Sequence, residues 1–470
     1  MSQRPHSPRH ARSAVRERGA RSAAAAREPL GPNAFRRATG ATALRRAAAG
    51  LAAGAIVGAA GVASTSLTPA HAAEEVTQRP ASGSLTISGR GFGHGRGMSQ
   101  WGAYGAADAG LSWRQILDFY YPGTSRDSIG NSTIRVLISA DDDGNTAVAP
   151  AEGLSVTHGR TATTLPVGAG YTAWRAVRYA NGVSVEYRDA KGAWQGWRGY
   201  RMGSGAVVFR TTSGIVRLLL PGGVQQDVRG AVFATMSGEK VITVLNSSME
   251  SYLRSVVPSE MPSSWHVNAL AAQSVAARTY AAAYRDRQRA KGASWDICDT
   301  IACQVFKGVA RYTRGGTKIS EEEARSDKAI AATTGTVMRT AKGANAPFAF
   351  AEFSASNGGY SVAGGPFYQV AKADPYDGRM RNPNTNWNVQ LTVAQLEKSF
   401  AIGKLIDVRI LDRDGKGELG GRVEDVQLTG TTRTVTVSGA KVRQVLKLRS
   451  DWFAVTATPE QPPTPAARRR

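Results

Sequence analysis

The sequence predicts an α+β protein, because strand-like and helix-like patterns occupy separate stretches of its 470 residues. Short β-branched runs separated by Gly, Asp and Asn fill residues 132–248 and are typical of an antiparallel sandwich or barrel. Residues 249–290 switch to apolar spacing with the period of a helix. A hydrophobic content of 42% and a charged content of 20% indicate a globular chain, long enough for two or three domains.

Residues 1–72 have the composition of an N-terminal extension with an export signal. Two Arg pairs, the second at residues 45–46, precede an apolar run at residues 47–63, and Ala-His-Ala at residues 70–72 has the A-x-A form of a cleavage site. The run has 17 residues, mostly Ala and Gly, and is short and weakly apolar for a membrane span. We expect secretion with cleavage near residue 72, which leaves no stable membrane span; an uncleaved anchor is the alternative.

The chain is strongly basic, with a formal net charge of +23, and residues 1–72 carry 11 Arg and two Glu. A basic surface suits nucleic acid, an anionic membrane or an anionic wall polymer, and it also serves solubility. The sequence has no basic stripe interleaved with aromatic residues, no zinc-finger spacing and no RNA-binding sheet motif. Nucleic acid is therefore not an expected partner.

After an expected linker at residues 73–88, glycine alternates with other residues at positions 89–97. Glycine is favoured where φ is positive or where the backbone approaches another group closely. This loop is therefore either a tight turn or the lining of a site. Residues 100–121 are expected to be helical, with an interruption at Gly110 and an end at Pro122.

The second half of the chain is expected to mix helices with short strands. Within residues 249–290 the helical pattern breaks at Pro258 and Pro262, and Ser263 or Ser264 is a candidate N-cap of the helix that follows. Another helix is expected at about residues 320–333, followed by strands at 335–340 and 347–356. Residues 391–455 alternate short strands with a helix, and residues 458–470 are expected to be a disordered basic tail.

Cys298 and Cys303 are the two cysteines of the chain. In an exported protein a local disulfide between them is expected. Free thiols and a metal site are the alternatives, although zinc would need two further ligands and no His lies near these cysteines in the sequence.

Glu260 is a candidate for chemistry because it lies between Pro258 and Pro262, where we expect it to stand outside the helices. A charge that complements a helix dipole is the ordinary explanation of such a residue, and an acid/base role is the other. Gln273 and Arg278 interrupt an otherwise small and apolar helix, so their side chains must reach solvent or satisfy partners.

Several segments carry a family resemblance. They are GFGHGRGMSQWGAYGAA at residues 91–107, SVVPSEMPSSWHVNALAAQSVAARTYA at 255–281, CDTIACQVFKG at 298–308, FSASNGGY at 353–360 with DPYD at 374–377, and RVEDVQLTG at 422–430 with TVSG and VR after it. Together they resemble the SpoIID/LytB family, which is named for stage II sporulation protein D and an amidase enhancer. The resemblance covers Gly89–Val455.

The resemblance implies a SpoIID-like domain with a catalytic cleft at residues 89–457. In this layout residues 132–248 are an inserted or adjoining antiparallel β-rich part, and residues 249–457 are the α/β catalytic part. In many relatives the GHG–MSQ motif lies near the C-terminus, whereas here it precedes the β-rich part. The resemblance therefore implies that residues 89–110 fold back against the region of Glu260.

The implied activity is that of a lytic transglycosylase, which cleaves MurNAc–GlcNAc bonds of peptidoglycan glycan strands. Glu260 matches the catalytic glutamate of the family. One carboxyl group suffices in this chemistry, because the 6-hydroxyl of the sugar replaces water as the nucleophile and a 1,6-anhydro end results. Neither a cofactor nor a metal is expected.

The resemblance also implies a set of substrate-binding residues around the cleft. His94, Ser99 and Gln100 would donate or accept hydrogen bonds, and His94 as a second acid/base is an alternative. Trp101 or Tyr104 would stack on a sugar ring, although a buried Trp is the commoner outcome. The remaining candidates are Gln273, Arg278, Ser356, Asn357, Gly358, Gly359 and Tyr376, and Asp377 is a weaker one.

Two other functions use the same sequence features. A non-catalytic amidase enhancer would bind the wall and stimulate another hydrolase, so a cell-wall amidase is a further expected partner. A purely structural wall-anchored protein would bind no glycan.

Overall fold

The protein is described by a computed structural model that covers residues 75–130, 132–201 and 205–458. The expected export signal and all but the first residue of the expected basic tail lie outside these ranges. Within them, no helix combines the length and the apolar character that a membrane crossing requires.

The fold is mixed α+β, as predicted, and the described ranges contain seven α-helices. They are α1 (Gln100–Asp108), α2 (Trp113–Tyr120), α3 (Met249–Glu260), α4 (Val267–Ala290), α5 (Ala324–Ala332), α6 (Val393–Phe400) and α7 (Gly439–Leu446). The predicted interruption at Gly110 is confirmed, because α1 ends before it and Ser112 begins α2 with a capping box.

Short strands make up most of the remaining regular structure. In chain order they are β1 (Glu75–Gln78), β2 (Ser84–Gly89), β3 (Met98–Ser99), β4 (Ser125–Ser128), β5 (Thr133–Leu137), β6 (Asn145–Val148), β7 (Ser155–His158), β8 (Thr161–Thr164), β9 (Ala173–Tyr179), β10 (Gly182–Arg188), β11 (Trp194–Arg201), β12 (Val207–Arg210), β13 (Ile215–Leu220), β14 (Val224–Arg229), β15 (Ala231–Ser237), β16 (Lys240–Ser248), β17 (Ile297–Cys298), β18 (Ala310–Tyr312), β19 (Lys318–Ser320), β20 (Thr336–Arg339), β21 (Phe353–Ser354), β22 (Trp387–Thr392), β23 (Leu405–Arg413), β24 (Val423–Gly430), β25 (Thr434–Ser438) and β26 (Phe453–Ala457).

The β-rich part consists of two large sheets that share a hydrophobic core. One has the strand order β11-β10-β9-β6-β13-β14-β18-β19, and the other has the order β17-β5-β16-β15-β12-β7-β8. The sheets contact each other through β6 and β16, where the buried Thr146 and Thr243 hydroxyls form a 2.6 Å hydrogen bond. All strand pairings in these two sheets are antiparallel except that of β17 with β5. The short β17 comes from the segment after α4.

Helix α4 is the centre of the helical part and packs against α1, α2, α3, α5 and β20. Alanines on several sides of it are fully buried, which allows the neighbouring elements to approach its backbone closely. Its N-cap is His266 and not Ser263 or Ser264 as expected. The Ser263 hydroxyl is already bound to Ser326 at 2.6 Å, whereas His266 Nδ1 accepts a hydrogen bond from the Asn268 N–H.

Helix α3 corrects the expected position of Glu260. Pro258 lies inside the helix and Glu260 is its last residue, so that the carboxyl group belongs to a helix C-terminus. The buried face of α3, which includes Leu253 and Val257, packs into the main core and outweighs the cost of a proline near the last turn. Met261 is the C-cap of the helix and directly precedes Pro262.

The segment expected to be a linker, residues 73–88, contains two strands in its described part. β1 pairs with β23, and β2 lies between β22 and β26. β2 forms because apolar residues alternate with polar ones along it. Leu85 and Ile87 point into a second hydrophobic core, which is built largely from residues 387–453. The sheets of this second core have the orders β1-β23-β24-β25 and β22-β2-β26.

Candidate functional site

A cleft of about 510 Å³ brings the glycine-rich loop and Glu260 together. Its walls come from the loop before α1, the end of α3, the cysteine segment, the stretch around β21 and helix α7. The lining residues are Phe92, Gly93, His94, Gln100, Glu260, Tyr280, Ile301, Ala302, Cys303, Val305, Glu352, Phe353, Ser354, Ala355 and Arg443. The loop thus folds back against the region of Glu260, as the sequence analysis expects.

Glu260 is held at the cleft wall by one backbone contact. Its Oε1 atom accepts a hydrogen bond of 3.0 Å from the Val305 N–H. Burial raises the pKa of Glu260 above its ordinary value, against smaller lowering effects of the Val305 N–H, the Gln100 side chain and Lys307. The group is therefore a better proton donor near neutral pH than an exposed glutamic acid.

Gln100 is the first residue of α1 and is 6% exposed. Its amide nitrogen lies beside Glu260, yet no acceptor among the described residues meets it with normal hydrogen-bond geometry. The buried hydroxyl of Ser354, on the same cleft, is also without a partner there. Buried polar groups in native proteins nearly always find partners, so both atoms are suited to contact a bound ligand.

His94 is a neutral member of the cleft. Burial is the first cause that lowers its pKa to about 4, and Arg96 is the second. Its Nδ1 atom accepts a 3.0 Å hydrogen bond from the Arg96 backbone N–H, so the ring proton of the neutral form is on Nε2. A neutral imidazole can form a hydrogen bond with a ligand, but it lacks the additional proton that a second acid would donate.

Glu352 is a second carboxylate in the same cleft. Arg96 binds it with two hydrogen bonds of 2.7 and 3.1 Å, and Gln369 donates a third of 3.0 Å. Burial alone would raise the pKa of Glu352, but the contact with Arg96 more than offsets it, and the net shift is downward. The cleft therefore pairs a carboxyl group whose pKa is raised with one whose pKa is lowered.

Asp377 is a buried centre of hydrogen bonding behind the cleft. Its carboxylate accepts hydrogen bonds from the hydroxyls of Ser99 and Ser356, and its Oδ2 accepts one of 3.1 Å from the Gly358 N–H. The amide of Asn382 donates to it as well, at 3.2 Å. These contacts fix the start of α1 to the Gly-rich bend after β21.

Asp374 extends this network. It accepts hydrogen bonds of 2.7 Å from the Tyr120 hydroxyl and from the Asn357 amide, and its Oδ1 accepts the Tyr376 N–H at 3.0 Å. The Tyr376 ring packs edge-on against Phe119, 5.2 Å between centroids.

Of the expected substrate-binding residues, His94 and Gln100 line the cleft and the others do not. The polar groups of the bend and of Ser99 serve the Asp377 and Asp374 network instead. Arg278 is fully buried, and its guanidinium binds Glu250 with hydrogen bonds of 2.6 and 2.8 Å. Gln273 is fully buried in α4 and does not line the cleft.

The aromatic residues expected to stack on sugar also pack elsewhere. Tyr104 lies parallel to Trp265, with ring centroids 4.5 Å apart, and Trp101 tilts against the same ring at 4.7 Å. Phe92 is the aromatic residue that the glycine-rich loop does offer to the cleft, and it is 46% exposed.

Part of the chain is similar to known proteins. The family model described as stage II sporulation protein, SpoIID, matches residues 237–339. Stage II sporulation protein D of Bacillus subtilis (strain 168) is 28% identical over 220 residues, which is 45% of this chain and 61% of that protein. The amidase enhancer of the same organism is 56% identical over 50 residues, 11% of this chain and 7% of that protein. The chain covers less than two thirds of the length of either relative.

The chain is similar to SpoIID proteins over part of its length. The matched region, residues 237–339, contains α3 with Glu260, the whole of α4 and the cysteine segment.

Sequence reasoning missed Glu352, Ser354 and Arg443 in this cleft. Glu352 precedes β21 and Ser354 is the last residue of that strand, and their alternation with aromatic residues is an ordinary strand pattern. Arg443 lies on α7, about 180 residues after Glu260 in the chain, and only the folding of the second core brings it there.

Gly97 is the glycine of the loop whose substitution should be most costly. Its φ is +66°, and an added Cβ would collide with the Glu352 carbonyl oxygen. We expect Gly97→Ala to lower the free energy of unfolding by about 2–5 kcal/mol, from backbone strain and overpacking together. Urea unfolding followed by circular dichroism measures this.

Gly110→Ala is the matched control, because Gly110 also has a positive φ, +89°, but an added Cβ would have nothing within 4 Å. It should cost about 1–2 kcal/mol from backbone strain alone. Equal losses in the two variants would contradict the close approach of residue 97 to Glu352.

A disulfide joins Cys298 and Cys303, whose Cα atoms lie 5.5 Å apart, and the loop between them forms one edge of the cleft. We expect both thiols to resist alkylation until reductant is added, with a mass gain of two hydrogens on reduction. Removal of the crosslink should cost about 2 kcal/mol of stability, as for a short closed loop. Intact-mass measurement of protein purified without reductant checks this, and two thiols that alkylate without reductant would refute it.

Proposed function

We propose that this protein is an exported lytic transglycosylase that cleaves MurNAc–GlcNAc bonds of glycan strands, with Glu260 as acid and base. The observation that carries the proposal is the placement of Glu260, whose pKa is raised, in a cleft with the glycine-rich loop and a second, ionised carboxylate. In glycan-cleaving sites a carboxyl group whose pKa is raised can donate the proton, while an ionised carboxylate in the same site stabilises the positive charge that develops on the sugar.

In the first half of the reaction, protonated Glu260 gives its proton to the glycosidic oxygen. The C1–O bond breaks, its electron pair goes to the leaving oxygen, and positive charge develops at C1. Ionised Glu352, held by Arg96, favours that charge electrostatically. Because Arg96 occupies it with two hydrogen bonds, we assign Glu352 no proton transfer.

In the second half, the 6-hydroxyl oxygen of the same sugar bonds to C1. The Glu260 carboxylate accepts the hydroxyl proton, and the product carries a 1,6-anhydro ring. The enzyme returns to its starting state without a cofactor, and water enters neither bond change.

The substrate is positioned by side chains of the cleft that can form hydrogen bonds or apolar contacts with it. The amide of Gln100 and the hydroxyl of Ser354 are without partners among the described residues, and His94 is neutral. Phe92, at the edge of the cleft, and Ile301, 94% exposed, present apolar surface of the kind on which sugar rings pack.

Export rests on the sequence of residues 1–72, with its Arg pairs, apolar run and A-x-A site. The net charge of +23 supports attraction to an anionic wall polymer.

A second candidate is a non-catalytic wall-binding protein that stimulates a cell-wall amidase. The local identity of 56% to the protein named amidase enhancer favours it. Such a protein would use the same cleft for binding without turnover.

One experiment separates the two candidates. Purified protein is incubated with peptide-free glycan, and products are analysed by mass spectrometry, while a parallel reaction contains a wall amidase and intact peptidoglycan. A lytic transglycosylase releases anhydro-muramyl ends without the amidase. Faster amide hydrolysis with no anhydro ends would support the enhancer and contradict our proposal.

A further inference from the structure

Arg443 brings a positive charge to the cleft, and no group of the described residues neutralises it directly. It projects from α7 of the second core and lines the same cavity as Glu260 and His94. Within the described residues its guanidinium has no hydrogen bond or ion pair. The acidic group that influences it is Asp451, which is itself paired with Arg422.

The surroundings of Arg443 are cationic overall. Arg96, Arg422 and Arg443 all act on His94 and disfavour its charged form. Arg96 is neutralised by Glu352 and Arg422 by Asp451, so that the charge of Arg443 is in excess. Partial burial also removes water from this guanidinium, which nevertheless stays charged. A partly desolvated cation without a counter-ion is an incomplete binding site for an anion.

We propose that Arg443 forms a subsite for a carboxylate group of the saccharide in the cleft. The planar guanidinium fits a carboxylate with two parallel hydrogen bonds, a geometry that no hydroxyl of a neutral sugar can match. The identity of the ligand as a wall saccharide rests on the proposed function. Its carboxylates have two sources, the lactyl ether of the muramyl sugar and the stem peptide.

The cationic surface continues beyond the cleft. Arg443 and Lys447, at the end of α7, border a neighbouring hollow of about 380 Å³. A saccharide that extends from the cleft past α7 would meet a second positive charge there. This places the carboxylate subsite on the side of the cleft formed by the second core.

Binding is measured by calorimetry in the Glu260→Gln background, so that turnover cannot consume the probe. The probes are a GlcNAc–MurNAc tetrasaccharide with free lactyl carboxylates, its methyl ester, and the same tetrasaccharide with amide-linked stem peptides. Arg443→Gln is compared with Lys441→Gln, which removes an exposed charge from the same helix. Thermal unfolding checks that each variant is folded.

Arg443→Gln should weaken binding of the free-acid probe by about 10–100-fold, the range for a hydrogen bond to a charged partner. It should leave binding of the methyl ester unchanged, and Lys441→Gln should change neither. If the peptide-bearing probe binds as weakly as the ester, the carboxylate that Arg443 binds is that of the lactyl group. If binding of the peptide-bearing probe depends on Arg443, the carboxylate is that of the stem peptide. Equal affinity for acid and ester, together with binding of the peptide-bearing probe that does not depend on Arg443, would overturn the subsite, as would an equal loss for acid and ester in Arg443→Gln.

The outcome is separable from that of the proposed function. Arg443-dependent binding of the free acid by a protein that yields no anhydro ends would support the subsite and contradict the transglycosylase. Anhydro ends released equally from acid and ester probes would do the reverse.

Discussion

Glu260→Gln is expected to lower the rate of glycan cleavage by about 10²–10⁴-fold, the usual contribution of a positioned acid or base. Glutamine retains the shape of the side chain and can still accept the hydrogen bond from Val305, but it carries no titrating proton. Binding of glycan should survive. The rate of appearance of anhydro ends, measured at saturating glycan, gives the comparison.

His94→Ala and Gln100→Ala are the controls, because both residues line the cleft without being assigned a proton transfer. They should raise KM more than they lower kcat, as expected for positioning groups. A Glu260→Gln protein that cleaves at nearly the wild-type rate would contradict the assignment of the acid.

The pH dependence of the same reaction follows from the direction of the Glu260 pKa shift. The proton that Glu260 must donate is lost as the pH rises through its raised pKa, so kcat should fall on the alkaline side. The raised pKa of Glu260 also means that the folded state becomes less stable as the pH rises. Burial of the ionised form costs free energy above the unfolded-state pKa, so Glu260→Gln should be at least as stable as wild type at neutral pH.

Asp377→Ala should cost the most stability, about 3–5 kcal/mol, because it leaves several buried donors without an acceptor. The hydroxyls of Ser99 and Ser356 and the Gly358 N–H all donate to this carboxylate. Activity should be lost with it, since Ser99 caps α1 and Gln100 is the first residue of that helix. Urea unfolding measures the change in free energy.

Asp142→Ala is the matched control, because Asp142 is exposed, and it should change stability by no more than about 0.5 kcal/mol. If Asp377→Ala unfolds at the same urea concentration as wild type, the carboxylate does not hold the bend to α1.

The sequence allowed the α+β class to be predicted, since helical and strand periods are local properties. The meeting of Glu260 with the loop at His94 was expected from the motifs of the family, and the cleft contains both. The prediction that Glu260 lies outside the helices was wrong. The helix-breaking tendency of proline is a local rule, and the packing of α3 overrides it at Pro258.

The remaining differences concern polar residues whose partners are distant in the chain. Arg278 looks like a ligand contact in the sequence, but Glu250, 28 residues away, neutralises it in the interior. Ser99 and Ser356 look like sugar contacts, yet both bind Asp377. The sequence around Glu352 does not indicate its role, because that role depends on Arg96, which is 256 residues away. Such pairs become visible only when the chain is folded.

In the proposed reaction the 6-hydroxyl of the sugar, and not water, attacks C1 when Glu260 has protonated the leaving oxygen. Cleavage of peptide-free glycan in water enriched in oxygen-18, with mass spectrometry of the new muramyl ends, distinguishes the two nucleophiles. Wild type should give anhydro ends without oxygen-18, and Glu260→Gln should give nearly none. Reducing ends that contain oxygen-18 would instead mean that water attacks C1, and the proposed reaction would be wrong.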